Sequence, residues 1–305
     1  MKRIKSKFHF HKPVLLQKVL YYLNPTPNEN FIDCTVGLGG YLIPILKKTA
    51  PKGRILGIDA DCDSLELLKS YIKELNFSQR VVLECDNFLE LKDIVKRNHF
   101  QPINGLVFDL GWSSWQLEHS RRGFSFLRDE HLLMNYSSNS SLTAEKIVNR
   151  WPKEELIRIL KEFGEERFAR RIAEKIVQAR RISPIKTTSQ LVDIIKQAVP
   201  LFYQRRKIHP ATKTFQALRI AVNQELKNLE ETLPQIFEIA SPGARIVIVS
   251  FHSLEDRIVK RFFKSGAEKG IIQILTKKPI RPDYKEILNN PRSRSARLRA
   301  GIILK

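Results

Sequence analysis

The chain has 305 residues, 42% hydrophobic and 28% charged, enough to bury a substantial core as one large domain or, as expected here, two modest ones. No apolar run approaches the roughly 20 residues that cross a bilayer, and the basic start MKRIKSKFHFHKPVLL lacks the apolar stretch and small-residue site of a secretory leader, so a cytoplasmic protein is expected. Fifty-three Lys and Arg against 32 Asp and Glu leave a formal charge of +21, which argues for a polyanionic partner. Nucleic acid stands ahead of a membrane surface, because no basic helix carries the aromatic face of a membrane-surface helix.

Strand-like and helix-like segments alternate through the first hundred residues: FIDCT is a strand, YLIPILKKTA an interrupted helix, GRILGIDAD a strand, DSLELLKSYIKEL a helix, and RVVLECDNF and INGLVFDLG two further strands. That rhythm predicts a parallel sheet with right-handed crossovers. From about Trp112 the text turns polar and loop-rich, and amphipathic helices follow. Leu156, Ile159, Leu160 and Phe163 fall at helical spacing, as do Phe168, Ile172 and Ile176, and TTSQLVDIIKQAVP opens on hydroxyl caps and stops at Pro200. A long helix, FQALRIAVNQELKNLEETLPQIFEIA, then leads to the Pro242–Gly243 turn, ARIVIVSF is a strand buried on both faces, Ser253 and Asp256 form a cap-box variant for another helix, and the arginine-rich tail ends in an apolar strand. The predicted architecture is α/β, a doubly wound, mostly parallel sheet formed by residues 1–111 and 213–305, with a helical domain inserted at 112–212. Its site belongs at the carboxyl ends of the strands.

Three cysteines, Cys34, Cys62 and Cys85, have no metal-ligand spacing and leave an odd thiol in any pairing. They read as small buried residues of a protein from a reducing compartment, and no metal is expected.

In FIDCTVGLGGYL, Gly37 and Gly39 match the first two glycines of a dinucleotide fingerprint, but Leu42 stands where the third should be and the spare glycine is Gly40. A nucleoside without a pyrophosphate, such as S-adenosylmethionine, fits that departure. Asp33 closes the first strand, and Asp59, about 20 residues past the glycines, is where an acid accepts hydrogen bonds from ribose hydroxyls. Asp86, Asn87 and Phe88 end the third strand, where an adenine could be bonded and covered; Asp109 and Gly111 end the fourth, beside a reacting methyl.

The segments HKPVLLQKVL, FIDCTVGLGG, FDLGWSSWQLEHSRRGFSF, FGEERFARRIAEKIV, HPATKTFQALRIAVNQEL, SFHSLEDRIVKRFF and NPRSRSARLR run in order through nearly the whole chain. Together they resemble the bacterial 16S rRNA (cytosine-N4)-methyltransferase family, called RsmH or MraW. The resemblance implies a class I Rossmann-like methyltransferase that uses S-adenosylmethionine to methylate the exocyclic amine of a decoding-centre cytidine, with 16S rRNA in the small subunit as partner and no membrane. A homodimer is left open. It also implies that the cofactor is held by Gly39, Gly40 and Tyr41 in the loop, Asp59 at the ribose, Phe88 at the adenine, and Asp109 with Gln116 near the methionine end. Three departures from the family pattern stand out: Tyr41 replaces a histidine, WSSWQL brings in Trp112 and Trp115, and HLLMNYS at 131–137 replaces PLDMRMD, losing two carboxylates and an arginine. A base stacked on Tyr136 or a tryptophan is the expected compensation.

Methyl transfer is an in-line displacement, and the exocyclic nitrogen becomes nucleophilic only as it bends out of the ring plane. A carboxylate that accepts one N–H favours that bend and takes the proton, and Asp109 is the candidate catalytic residue. His252 and Glu255 should face the same cleft, with His252, Trp112 and Tyr136 as substrate contacts. His209, Thr212 and Gln216 are candidates to line the hinge between lobes. The target base must be unpaired or turned out of its stack, and the runs RRIAEKIVQARR and FYQRRK, with the two chain ends, are expected to grip phosphate. A scaffold role in ribosome assembly on the same fold is the alternative reading; a nicotinamide oxidoreductase is disfavoured by Leu42 and by the charge.

Overall fold

Four apolar runs that each stop near an acid set the frame. In the computed structural model, which describes residues 13–111, 116–117, 120–137 and 140–305, they form β1 (Phe31–Asp33), β2 (Ile55–Asp59), β3 (Val81–Cys85) and β4 (Gly105–Asp109). β5 (Arg245–Ser250), β6 (Ile272–Ile274) and β7 (Arg297–Ile303) complete one seven-stranded sheet in the order β3-β2-β1-β4-β5-β7-β6. β1 to β5 are mutually parallel; β7 is antiparallel to both β5 and β6. The strand order reverses between β1 and β4, so the crevice where such sheets bind ligands opens beside Asp33 and Asp109.

Alternate residues of each strand feed opposite faces of this sheet. Ile32, Leu56, Ile58, Leu106, Phe108, Ile246 and Ile248 point to one core, shared with α4 (Leu91–Arg97), α11 (Glu225–Thr232), α12 (Ile236–Ile239) and α13 (Ser253–Glu268). Phe31, Ile55, Val107, Val247 and Val249 point to the other, shared with α1 (Leu16–Leu23), α2 (Leu42–Lys48) and α3 (Cys62–Glu74). Helices on both faces make the central strands apolar throughout, as expected for β5. Pro44 does not interrupt α2. It falls in the first turn, where a missing N–H removes no obligatory hydrogen bond.

The chain separates into two compact units, Met1–Gly111 with Leu226–Lys305, and Trp112–Glu225. In the second, α5 (Ala144–Arg150), α6 (Lys153–Glu162), α7 (Ala169–Ile182), α8 (Thr188–Ala198), α9 (Leu201–Gln204) and α10 (Thr212–Asn223) surround one core that includes Ile147, Leu160, Ile172, Leu191, Ile195 and Leu218. The expected capping of α8 is present as a full box: the Thr187 side chain accepts from the Gln190 N–H, and the Gln190 side chain accepts from the Thr187 N–H.

Four expectations are corrected. The long helix predicted from Phe215 onwards is broken: Gln224 takes the left-handed conformation (φ 50°, ψ 34°), and Pro234 lies in a 3-10 turn between α11 and α12. The return to the sheet unit comes after Glu225 instead of at 213, because Phe215, Leu218 and Val222 of α10 join the helical core. The cap of α13 is His252 with Glu255, one residue before the Ser253–Asp256 pair, and Asp256 instead receives Arg299 Nε at 2.7 Å and Arg297 Nη1 at 3.3 Å. Finally, Cys62 and Cys85 are joined as a disulfide, while Cys34 is buried and free, as read. The pairing follows from register: β2 and β3 set Asp59 against Cys85, and Cys62 begins the helix just after Asp59. No helix of the described residues is long and apolar enough to cross a membrane.

Candidate functional site

Three carboxylates converge at the carboxyl end of the sheet. Asp33 is 1% exposed; its Oδ1 accepts the Thr35 N–H at 3.3 Å and its Oδ2 has no partner among the described residues. Burial pushes this carboxyl up to about 8, with Asp109 and Asp59 adding to the rise against the Thr35 hydrogen bond. Asp59 accepts the Gly37 N–H at 2.8 Å and the Asp61 N–H at 2.9 Å, which moderates the effect of burial and leaves it at about 6. The Asp109 N–H donates to Thr35 Oγ1 at 2.7 Å, and its buried Oδ1 is unpartnered among the described residues. Burial carries Asp109 up to about 7, the adjoining Tyr41 hydroxyl drawing it down and the Glu255 carboxylate pushing it up.

The glycine loop packs between these acids. The Gly39 N–H donates to Val36 O at 2.7 Å, and Val36 is itself bonded to Ile58 of β2, so the turn is fixed to the sheet. A Cβ on Gly39, whose φ is +83°, would lie 2.7 Å from Leu68 Cδ1 of α3; one on Gly40 would lie 3.2 Å from Pro13. What the bare backbone makes room for at these two positions is the protein's own side chains. Gly111 differs: among the described residues, a Cβ there meets nothing nearer than the Phe251 ring at 3.9 Å, an ordinary contact distance.

His252 follows β5, the strand beside β4. Its Nδ1 accepts the Glu255 N–H at 3.3 Å, and Nε2 lies 3.1 Å from Glu255 Oε1 without the alignment of a hydrogen bond. Glu255 Oε2 accepts from the N–H groups of Phe251 (2.7 Å) and His252 (3.3 Å). Behind burial, the Glu255 carboxylate adds to the rise at Asp109.

Set against known proteins, residues 8–302 match the MraW methylase family. The chain belongs to that family. It is 45% identical over 304 residues to ribosomal RNA small subunit methyltransferase H of Halothermothrix orenii, covering 95% of this chain and 97% of that one. It is also 45% identical over 295 residues to the protein of that name from Thermotoga neapolitana, covering 96% and 95%. Among solved structures, an rRNA methylase from Streptococcus thermophilus superposes with a TM-score of 0.43 at 11% identity, covering 97% of this chain and 99% of that one. The methylase has the Rossmann-like fold of S-adenosylmethionine-dependent enzymes, and S-adenosylmethionine is its methyl donor.

The residues present suit that donor. Two buried carboxylate oxygens, on Asp33 and Asp109, have no partner among the described residues and would suit a ligand that carries positive charge, and Asp59, which accepts the Gly37 and Asp61 N–H groups, would offer its remaining lone pairs to ribose hydroxyls. Phe88, next in line, is half-buried with its ring 5.9 Å from Phe108, edge to face, and Asn87 caps its turn by accepting the Leu89 N–H. Asp86 is less free than its position implied, since Arg97 bridges it to Glu84 at 2.8 Å each. Tyr41 is 3% exposed, and its hydroxyl donates to Val14 O at 2.6 Å, so it ties the loop of the methylase to the segment before α1. Burial, with Asp109 and Asp33, holds that hydroxyl well above its usual range.

The remaining candidates lie in the helical unit. Gln116 is buried there. Tyr136 stacks on Phe124 at 5.7 Å, donates its hydroxyl to Glu225 Oε1 at 3.0 Å, and gives its N–H to Asn223 Oδ1. His209 stacks on Phe126 at 4.6 Å, and burial, with Lys196 nearby, lowers its pKa; Gln216 donates to Phe163 O at 2.8 Å. Trp112 and Trp115 fall outside the described residues. Sequence reasoning missed Thr35, which ties Asp33 to Asp109 through its N–H and hydroxyl oxygen; a threonine two residues past an acid-ending strand was the available signal.

Proposed function

We propose that the protein transfers a methyl group from S-adenosylmethionine to the exocyclic N4 of a cytidine in the decoding centre of 16S rRNA, acting in the cytoplasm on the small subunit. Membership of the MraW methylase family supports rRNA methylation, and the observation that carries the chemistry is the buried, unpartnered Oδ1 of Asp109. The cofactor supplies an electrophilic methyl. Asp59 bonds the ribose, Phe88 covers the adenine, and the Gly39–Tyr41 turn holds its shape through Leu68, Pro13 and Val14.

Asp109, with a carboxyl at about 7, is poised near the working pH of a general base. Its free oxygen accepts one N–H of the cytosine amine, holds the nitrogen bent out of the ring plane, and takes the proton as the new bond forms. Burial first, and the Glu255 carboxylate after it, keep the Asp109 carboxyl from ionising in the ordinary carboxylate range, and His252 lies beside Glu255 for substrate contact.

The test is incorporation of labelled methyl into small subunits that lack the modification. Asp109→Ala is expected to lose roughly 100- to 10,000-fold in rate. The wild-type rate should climb with pH through about 7 as Asp109 ionises. Cofactor binding with no label transferred by the wild type would overturn the reading in favour of an RNA-binding assembly factor.

A further inference from the structure

The helical unit carries a strip where aromatic rings and cations alternate, and it gathers residues of the two basic runs RRIAEKIVQARR and FYQRRK. Phe168, just before α7, sits 4.9 Å from Tyr203 and 6.3 Å from Phe202 of α9, both edge-on. The guanidinium carbons of Arg167 and Arg171 each lie 5.8 Å from the Phe168 centroid, and that of Arg206 lies 5.2 Å from Tyr203. The base of the strip is fixed. The buried Glu166 accepts the Tyr203 hydroxyl and the Phe168 N–H, each at 2.8 Å.

Its outer edge is exposed. Phe202 keeps 59% of its surface in solvent, Leu201 67% and Ile208 63%. Arg167, Arg170, Arg171, Arg205, Arg206 and Lys207 are all exposed, and among the described residues none is paired with a carboxylate. A large ring left in water among these cations, that of Phe202, points to a partner with flat apolar faces and a regular negative charge. A second copy of this chain is a poor occupant, since an isologous contact would set these cations against themselves. A regular duplex is also a poor fit, because its base faces are hidden.

We propose that this strip is a platform for an unpaired stretch of RNA, one base stacked on Phe202 and the adjoining phosphates held by Arg171 and Arg206. It rests on the reading that the substrate is RNA, and extends it by saying where the strand lies away from the reacting base.

Full-length protein is titrated into labelled RNA of about 12 nucleotides, single-stranded or as a duplex, with anisotropy read from roughly 50 to 300 mM salt. Phe202→Ala should weaken single-strand binding about tenfold at every salt, leave the duplex unchanged, and be rescued by Phe202→Trp. Arg171→Gln with Arg206→Gln should flatten the slope of log affinity against log salt by about 1. Wild-type affinity in Phe202→Ala, equal loss for single strand and duplex, or a change in sedimentation from dimer to monomer would each overturn the platform. Because Phe202 is mostly exposed, the variant should keep its melting temperature and its calorimetric affinity for the cofactor. Methyl transfer to subunits is measured alongside. No transfer by the wild type together with the predicted binding pattern rejects the function and keeps the platform; transfer with a silent Phe202→Ala does the reverse.

Discussion

The helical unit and the acidic corner of the sheet unit treat buried carboxylates differently. In the helical unit each buried acid is fully engaged: Glu225 accepts Arg219 Nε and Nη2 at 2.8 Å each and the Tyr136 hydroxyl, while Glu166 takes the Tyr203 hydroxyl and a backbone N–H. At the sheet's carboxyl edge, Asp33 and Asp109 each keep a buried oxygen with no partner, and all three acids of the corner are pushed towards neutrality by burial. An engaged acid holds a fold together; an unengaged one costs stability and is kept for what it can bind.

That contrast can be broken, most severely at Arg219. Arg219→Ala strands Glu225 in the helical core, where both side chains are under 10% exposed, and should cost roughly 3–5 kcal/mol, seen as a large fall in melting temperature. A mild effect would erase the distinction between the units. Next in size, Asp59→Ala removes the acceptor of the Gly37 and Asp61 N–H groups as well as the proposed sugar contact. Cofactor affinity by calorimetry should fall roughly 10- to 100-fold while RNA affinity holds; equal loss of both would refute the division of labour.

Asp33 sharpens the comparison through pH. Its carboxyl sits at about 8 when folded against an ordinary 3.8, so the folded state holds the proton longer. Its contribution is fully present below the ordinary value and lost as pH rises through about 8. Asp33→Asn should leave stability unchanged near pH 4 and raise it by roughly 1–3 kcal/mol near pH 9, read from denaturant unfolding at the two pH values. A variant equally destabilised at both would mean that the acid is structural. The smallest change expected is Thr187→Ala, which removes the cap of α8 for about 1 kcal/mol and no loss of cofactor affinity.

Much of the sheet was legible because β1 to β4 are short apolar runs with an acid at or just past the end, bounded by turn residues, a pattern that periodicity reads directly. The direction of β7 was not, since an apolar strand looks the same whichever way it runs. Nor was the break at Gln224: the helical pattern continues across it, and only the packing of Phe215 and Leu218 into the other core demands a turn there. His252 and Ser253 can both cap a helix, and where β5 releases the chain decides between them. The acids of the site were found from their places at strand ends, whereas Thr35 needed two strands in view at once. The glycines were read as space for a ligand, and at Gly39 and Gly40 the space is taken by Leu68 and Pro13.

The Cys62–Cys85 bond has a consequence of its own. It rivets the turn after Asp59 to the turn that leads towards Phe88, the two residues proposed to hold the ribose and the adenine. With the cysteines 23 residues apart, the closed loop removes about 3 kcal/mol of freedom from the unfolded chain. Reducing the bond would return that freedom to the unfolded chain, a loss of stability that melting with and without a thiol reductant would read.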